Sequence, residues 1–174
     1  MTENPLKLSA ADAEDLRVIA AICQDALVPL SEMAYLDNEK RFVLALNRFR
    51  WDQVPDDGDA AAAIDRSRPR ADKDAPFSDK HDTGPVYERV LCGLTFENVS
   101  AVRARLIDLR KRQEILVLLT IHSEPGAVLL LFAGGGAIKL EVGELHCFLE
   151  DFGPSWPTRR RPHHPDDAGS TGSR

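Results

Sequence analysis

The chain has no run of eighteen apolar residues, so nothing in it is long enough for a transmembrane helix. The opening MTENPLKLSAADAED has no basic region followed by an apolar one, so no secretory signal is expected. A cytoplasmic location without a membrane partner follows as the expectation. Only three cysteines occur, Cys23, Cys92 and Cys147, and no two make a Cys-x-x-Cys. That spacing argues against a disulfide scaffold or a zinc site, and a reducing compartment would keep the thiols free. Neither the G-x-G-x-x-G nor the P-loop spacing is present, so no nucleotide or other cofactor is called for. The Gly-aromatic signature of ribonucleoprotein domains is also missing. Positive charge is in the minority, with 22 Lys and Arg against 28 Asp and Glu for a net of −6, which makes nucleic acid an unlikely general partner.

What is present is unevenly spread over the 174 residues. Segments 1–51 and 86–152 each carry a net charge of −2 and most of the large apolar side chains. Between them, 52–85 holds nine acidic and five basic residues, four prolines, and only Val54, Ile64 and Phe77 as large apolar groups. Such a stretch buries too little surface to offset the entropy of ordering, and is expected to be a flexible acidic insertion. Residues 153–174 carry four prolines and a net of +2, and read as a mostly disordered tail. The expectation is one domain, 5–152, assembled from the blocks 5–51 and 86–152.

Periodicity assigns the elements. Ser9, with Asp12 three residues on, resembles a capping box, and Leu16, Ile19, Ala20, Cys23, Ala26 and Leu27 follow at helical spacing until Pro29. Residues 28–36 look extended, 37–39 form a turn, and 40–51 alternate as a strand apolar on both faces. That strand is expected to be central, its second face covered by the helix. Further alternation marks 90–97, a bend at Asn98, 102–107, 115–122, 127–133 and 137–142, with a last strand toward Asp151 past a kink at Gly143. The pattern predicts an α+β fold. About seven mainly antiparallel strands form a curved sheet or partly open barrel, packed by one N-terminal helix.

The segments LKLSAADAEDLRVIAAICQDAL, EMAYL, RFVLALNRFRW, FAGGGAIKLEV and LEDFGPSWPTRRRPHH resemble, in order, a family of alphaproteobacterial proteins catalogued as domain of unknown function twenty-nine forty-eight. The resemblance implies a bacterial, cytoplasmic, single-domain protein. It carries no activity, cofactor or catalytic residue.

The candidate chemistry is sparse. Gly134-Gly135-Gly136 precedes an alternating segment and reads as a hairpin turn needing positive φ, in preference to a phosphate loop. The three cysteines each fall on an apolar face, as small buried hydrophobes do. His146 adjoins Cys147, but strand neighbours face opposite ways, so the two make no dyad. His122 and His146 sit near strand ends and are candidates for lining a pocket; His81, His163 and His164 have no metal-ligand spacing, and no metal site is expected. Arg48 and Arg50 alternate with Asn47, Phe49 and Trp51, and Arg103 and Arg105 share another strand face. These four arginines, with Trp156 ahead of Arg159-Arg160-Arg161, are the candidate binding residues for an anionic partner. The competing reading pairs the arginines with carboxylates across strands.

Three functions fit this inventory. The leading one is a non-catalytic binding or adaptor module presenting a surface to a protein partner. A small-molecule-binding protein or enzyme would place its site at the barrel mouth, near His122, His146 and the Arg103/Arg105 face. The weakest reading is nucleic-acid binding through Arg48, Arg50, Arg103, Arg105 and the arginine tail.

Overall fold

Asp12 starts the first helix. In the computed structural model, which describes residues 5–51 and 86–162, its carboxylate accepts hydrogen bonds from the backbone N–H groups of Glu14 and Asp15, both at 2.9 Å. The helix α1 spans Ala13–Ile22 and buries Leu16, Ile19 and Ala20. Two expectations are corrected here. Ser9 is not the cap, because it lies in a strand, β1 (Lys7–Ala10). Nor does the helix reach Leu27. Asp25 takes a left-handed conformation at φ 60°, which aspartate tolerates better than most residues. It turns the chain into β2 (Ala26–Pro29), whose alternating burial replaces the helical stripe. The insertion 52–85 and the chain beyond 162, with His81, His163 and His164, lie outside the described residues.

Six more strands follow: β3 (Met33–Leu36), β4 (Arg41–Phe49), β5 (Tyr87–Arg105), β6 (Ile115–Glu124), β7 (Ala127–Phe132) and β8 (Ala137–Thr158). The described residues thus form eight strands where seven were expected, in one sheet of order β1-β8-β5-β4-β2-β6-β7 with β3 beside β4. Their pairings are antiparallel. A further pairing of β7 with β8 brings the sheet round into a ring. One break that the alternation suggested, at Asn98, is absent, and the last strand runs on past Gly143 as expected. Residues 87–105 form one strand of 19 residues, bent where Asn98 sits at φ 59° and the register shifts between Glu97 and Ala101. Its partner β8 runs 22 residues, through Gly143 and past the expected boundary at 152. The glycine triplet makes the expected turn, with Gly134 and Gly135 at φ 83° and 84°.

The inner face of the ring holds the core. Phe42, Leu44 and Leu46 of β4, Cys92, Leu94 and Phe96 of β5, and Cys147 and Leu149 of β8 are buried there. Leu16, Ile19 and Ala20 of α1 join this same cluster, so the helix packs on the inner side and leaves the outer face of β4 without a helical layer. Position in the ring explains why. β1 and β6 do not pair with each other, and α1 packs against both, filling the interval between them.

Replacing Asp12 by Ala should lower unfolding stability by about 1 kcal/mol through loss of the helix cap. Ser9→Ala should leave urea denaturation nearly unchanged. The reverse ranking would restore Ser9 as the cap.

Candidate functional site

The alternating pattern that buries Phe42, Leu44 and Leu46 carries one step further, to Arg48. A guanidinium thereby enters the inner face at 3% exposure. It meets Asp151, the continuation of the inner face of β8 beyond Leu149, through two parallel bonds: Nε to Oδ1 at 2.9 Å and Nη2 to Oδ2 at 2.7 Å. The pair reaches across β5, since both β4 and β8 flank that strand. Such a fork-to-carboxylate match offsets desolvation only while both partners stay. Arg50 is also engaged, with Nη1 3.0 Å from Glu88 Oε2, an oxygen that accepts a second bond from Ser155 Oγ at 2.8 Å. Arg48 is therefore enclosed in the core end, and Arg50 is mostly covered.

Beside this pair lies an aromatic cluster on the outer side of β4. Phe49 is fully buried between Trp51, at a 4.6 Å ring separation, and Tyr87, at 5.4 Å, with the Arg89 guanidinium 5.6 Å from its centroid. Trp51 Nε1 donates to the carbonyl of Gln24 just past the end of α1, tying this cluster to the helix end. Burial pushes the Arg89 guanidinium below its ordinary value, and the Asp25 charge opposes that shift.

All three cysteines are free and fully buried. They are less isolated than their spacing implies. Hydrogen bonding to Cys23, together with burial, pushes the Cys92 thiol far above its ordinary range, and burial followed by the proximity of Cys23 does the same for Cys147. Thiols held protonated in this way are poor nucleophiles. His146 is half-buried on the opposite face from Cys147, in register with Glu97.

The other half of the β5–β8 pair brings exposed candidates together. Register aligns His122 of β6 with Leu129 of β7, Leu129 with Lys139 of β8, and Lys139 with Arg103 of β5. The adjoining row runs Thr120, Leu131, Ala137, Arg105. His122, Lys139, Arg103 and Arg105 are all exposed, and Leu129 and Leu131 are half-buried between them. The nearby carboxylates are Glu141, 3.1 Å from Arg103, and Glu124, so cations predominate. A groove of about 290 Å³ meets this face at His122, lined on its helix side by Arg17 and Gln24 and on its strand side by Thr120 and His122. His146 belongs to the far half of β8 and does not share the groove. Trp156 is 38% exposed, in register with Arg89.

Lys139, Arg17 and Thr120 went unnoticed among the sequence candidates. Lys139 was legible, because AIKLEV alternates and sets it on the polar face; its neighbours were not. Among the described residues no group of three or more His, Cys, Asp or Glu side chains is placed to hold a metal ion, and no helix is long and apolar enough to cross a membrane.

Arg48→Met should cost about 3–5 kcal/mol in chemical denaturation, because Asp151 is left charged in the core. Adding Asp151→Leu to Arg48→Met should recover most of that loss. Additive losses in the double variant would contradict this reading of the pair.

Comparison with known proteins is narrow in its result. No curated protein and no solved structure matches the chain. One family does, over residues 6–164, described as "Protein of unknown function (DUF2948)". With a match covering nearly its whole length, the chain belongs to the DUF2948 family.

Proposed function

We propose that the protein is a non-catalytic binding or adaptor module, cytoplasmic, whose cationic outer face takes an acidic segment of a protein partner. The observation that carries this reading is the cross-strand row His122–Leu129–Lys139–Arg103 with Arg105 beside it. Strands lie about 4.8 Å apart, so the row spans roughly 14 Å, a fit for a short extended peptide. Leu129 and Leu131 supply apolar contact between the charges, matching a ligand that mixes carboxylates with aliphatic side chains. No Phe, Tyr or Trp stands in either row to stack on a base, which favours protein over nucleic acid. Free, buried thiols support a reducing compartment. The catalytic alternative has less behind it, since the Cys92 and Cys147 thiols are held protonated and Arg48 is bound in an ion pair.

One observation favours a second reading. The groove between α1 and β6 sets Arg17, Gln24, Thr120 and His122 around a space near the lower limit for small-ligand sites, suited to a small carboxylate or phosphate.

The leading reading is tested by fluorescence anisotropy with a labelled peptide alternating Glu and Leu. Binding should weaken steeply with added salt and fall at least about tenfold in Arg103→Glu/Arg105→Glu, with circular dichroism unchanged. Unchanged binding in that variant would overturn the proposal, as would tighter binding of duplex DNA. Thermal stabilisation by phosphate that Arg17→Ala abolishes, with no peptide binding, would favour the groove.

A further inference from the structure

The two rows of the cationic face end at the same place. Thr120 and His122, their members on β6, line the groove whose opposite wall is α1. On that side β6 is open. β2 pairs with it only as far as Leu118, where the Asp25 N–H donates to the Leu118 carbonyl at 2.8 Å. The register against β7 then shifts between Leu118 and Thr120. Beyond that bulge no strand among the described residues pairs with β6 on its α1 side. Alternate backbone N–H groups of an unpaired edge point away from the neighbouring strand, so this edge offers donors to the groove.

No carboxylate lines the groove. Arg17 and Gln24 stand on the helix side, Thr120 and His122 on the strand side, and Ala20, Ala21 and Leu119 add apolar surface. Its volume of about 290 Å³ lies just under the roughly 300 Å³ of the smallest ligand pockets. Because α1 packs against both β6 and β1, the helix closes the path beyond His122. A chain lying along the rows can end in the groove but cannot run straight on through it.

Charge selects which end of a chain fits. A C-terminus brings a carboxylate to the Arg17 guanidinium and the open N–H edge, whereas an N-terminal ammonium meets a cation of its own sign. An aliphatic last side chain fits the surface of Ala20, Ala21 and Leu119. At about 4.8 Å per strand and 3.4 Å per extended residue, Lys139 lies about three residues upstream of His122 and Arg103 about four.

We infer that the groove takes the C-terminal carboxylate of the partner segment, so that the partner binds by its chain end. This inference rests on the adaptor reading and narrows it, from any acidic segment to a terminal one with an aliphatic last residue.

Fluorescence anisotropy on the full chain tests it with three N-terminally labelled peptides of alternating Glu and Leu. One ends in Leu with a free carboxylate, one is its C-terminal amide, and one is extended by several Gly residues, which keeps the charge but moves the terminus. The free acid should bind about tenfold more tightly than the other two. Arg17→Ala should bring the free acid to the level of the amide and leave the amide unchanged, and Arg17→Lys should recover much of the difference. Arg17 is exposed on the helix, so these variants should keep the native circular dichroism. Equal binding of the three peptides, still lost in Arg103→Glu/Arg105→Glu, overturns the inference and leaves the adaptor reading standing. An Arg17→Ala loss equal for acid and amide overturns it as well. Binding of none of the peptides removes both readings together.

Discussion

The long antiparallel ladder between β5 and β8 is the constraint on which the rest depends. Residues 87–105 and 137–158 pair along nearly their whole lengths, β1, β4 and β7 are each placed by where they join one of the two, and β2, β3 and β6 are placed in turn by β4 and β7. β1 takes the 147–150 stretch of β8 and β7 the 137–141 stretch, while β4 takes the first half of β5. The bend at Asn98 lets one pair of strands serve two regions of the ring. It also gives the pair two outer faces of different character. The half carrying Leu91, Phe148 and Phe152 is apolar, and the half carrying Arg103, Arg105 and Lys139 is cationic.

The inner side shows how polarity is contained. Arg48 and Asp151 bring charge to the inner face at the end of the buried rows, and their two parallel bonds satisfy each other across β5. A buried pair of this kind adds little net stability, because the desolvation of both charges offsets their attraction. The thiols nearby show a related economy. Cys23, Cys92 and Cys147 are far apart in the chain, yet they meet in one apolar interior, where Cys92 and Cys147 are held protonated.

Much of the architecture was legible in the sequence because period-two alternation is a local property. The helix, the curved antiparallel sheet and the Gly134-Gly135 turn could all be read from neighbouring residues. Boundaries depended on tertiary pairing and were read less well. Ala26 and Leu27 satisfy a helical stripe and a strand alternation equally, and only the αL turn at Asp25 decides between them. The two segments either side of Asn98 looked like separate strands because a bulge resets the alternation without ending the ladder. At the candidate site, alternation showed that Arg103 and Arg105 share a face, but it could not say that Lys139 and His122 stand in line with Arg103. Strand order is a long-range property, and so is the fate of Arg48, whose partner lies 103 residues away.

The most direct test of the account is a spin-label distance between Arg103→Cys and His122→Cys. The native cysteines are fully buried, so only the engineered pair should react. The labelled chain is diluted with unlabelled protein to remove contributions between molecules. If β6, β7, β8 and β5 lie in sequence round the ring, three strand spacings separate the two sites by about 14 Å. A distribution centred near that distance, broadened by the label tethers, is the predicted result. A separation of about twice that or more would mean that these strands are not neighbours, and that the cationic row does not exist.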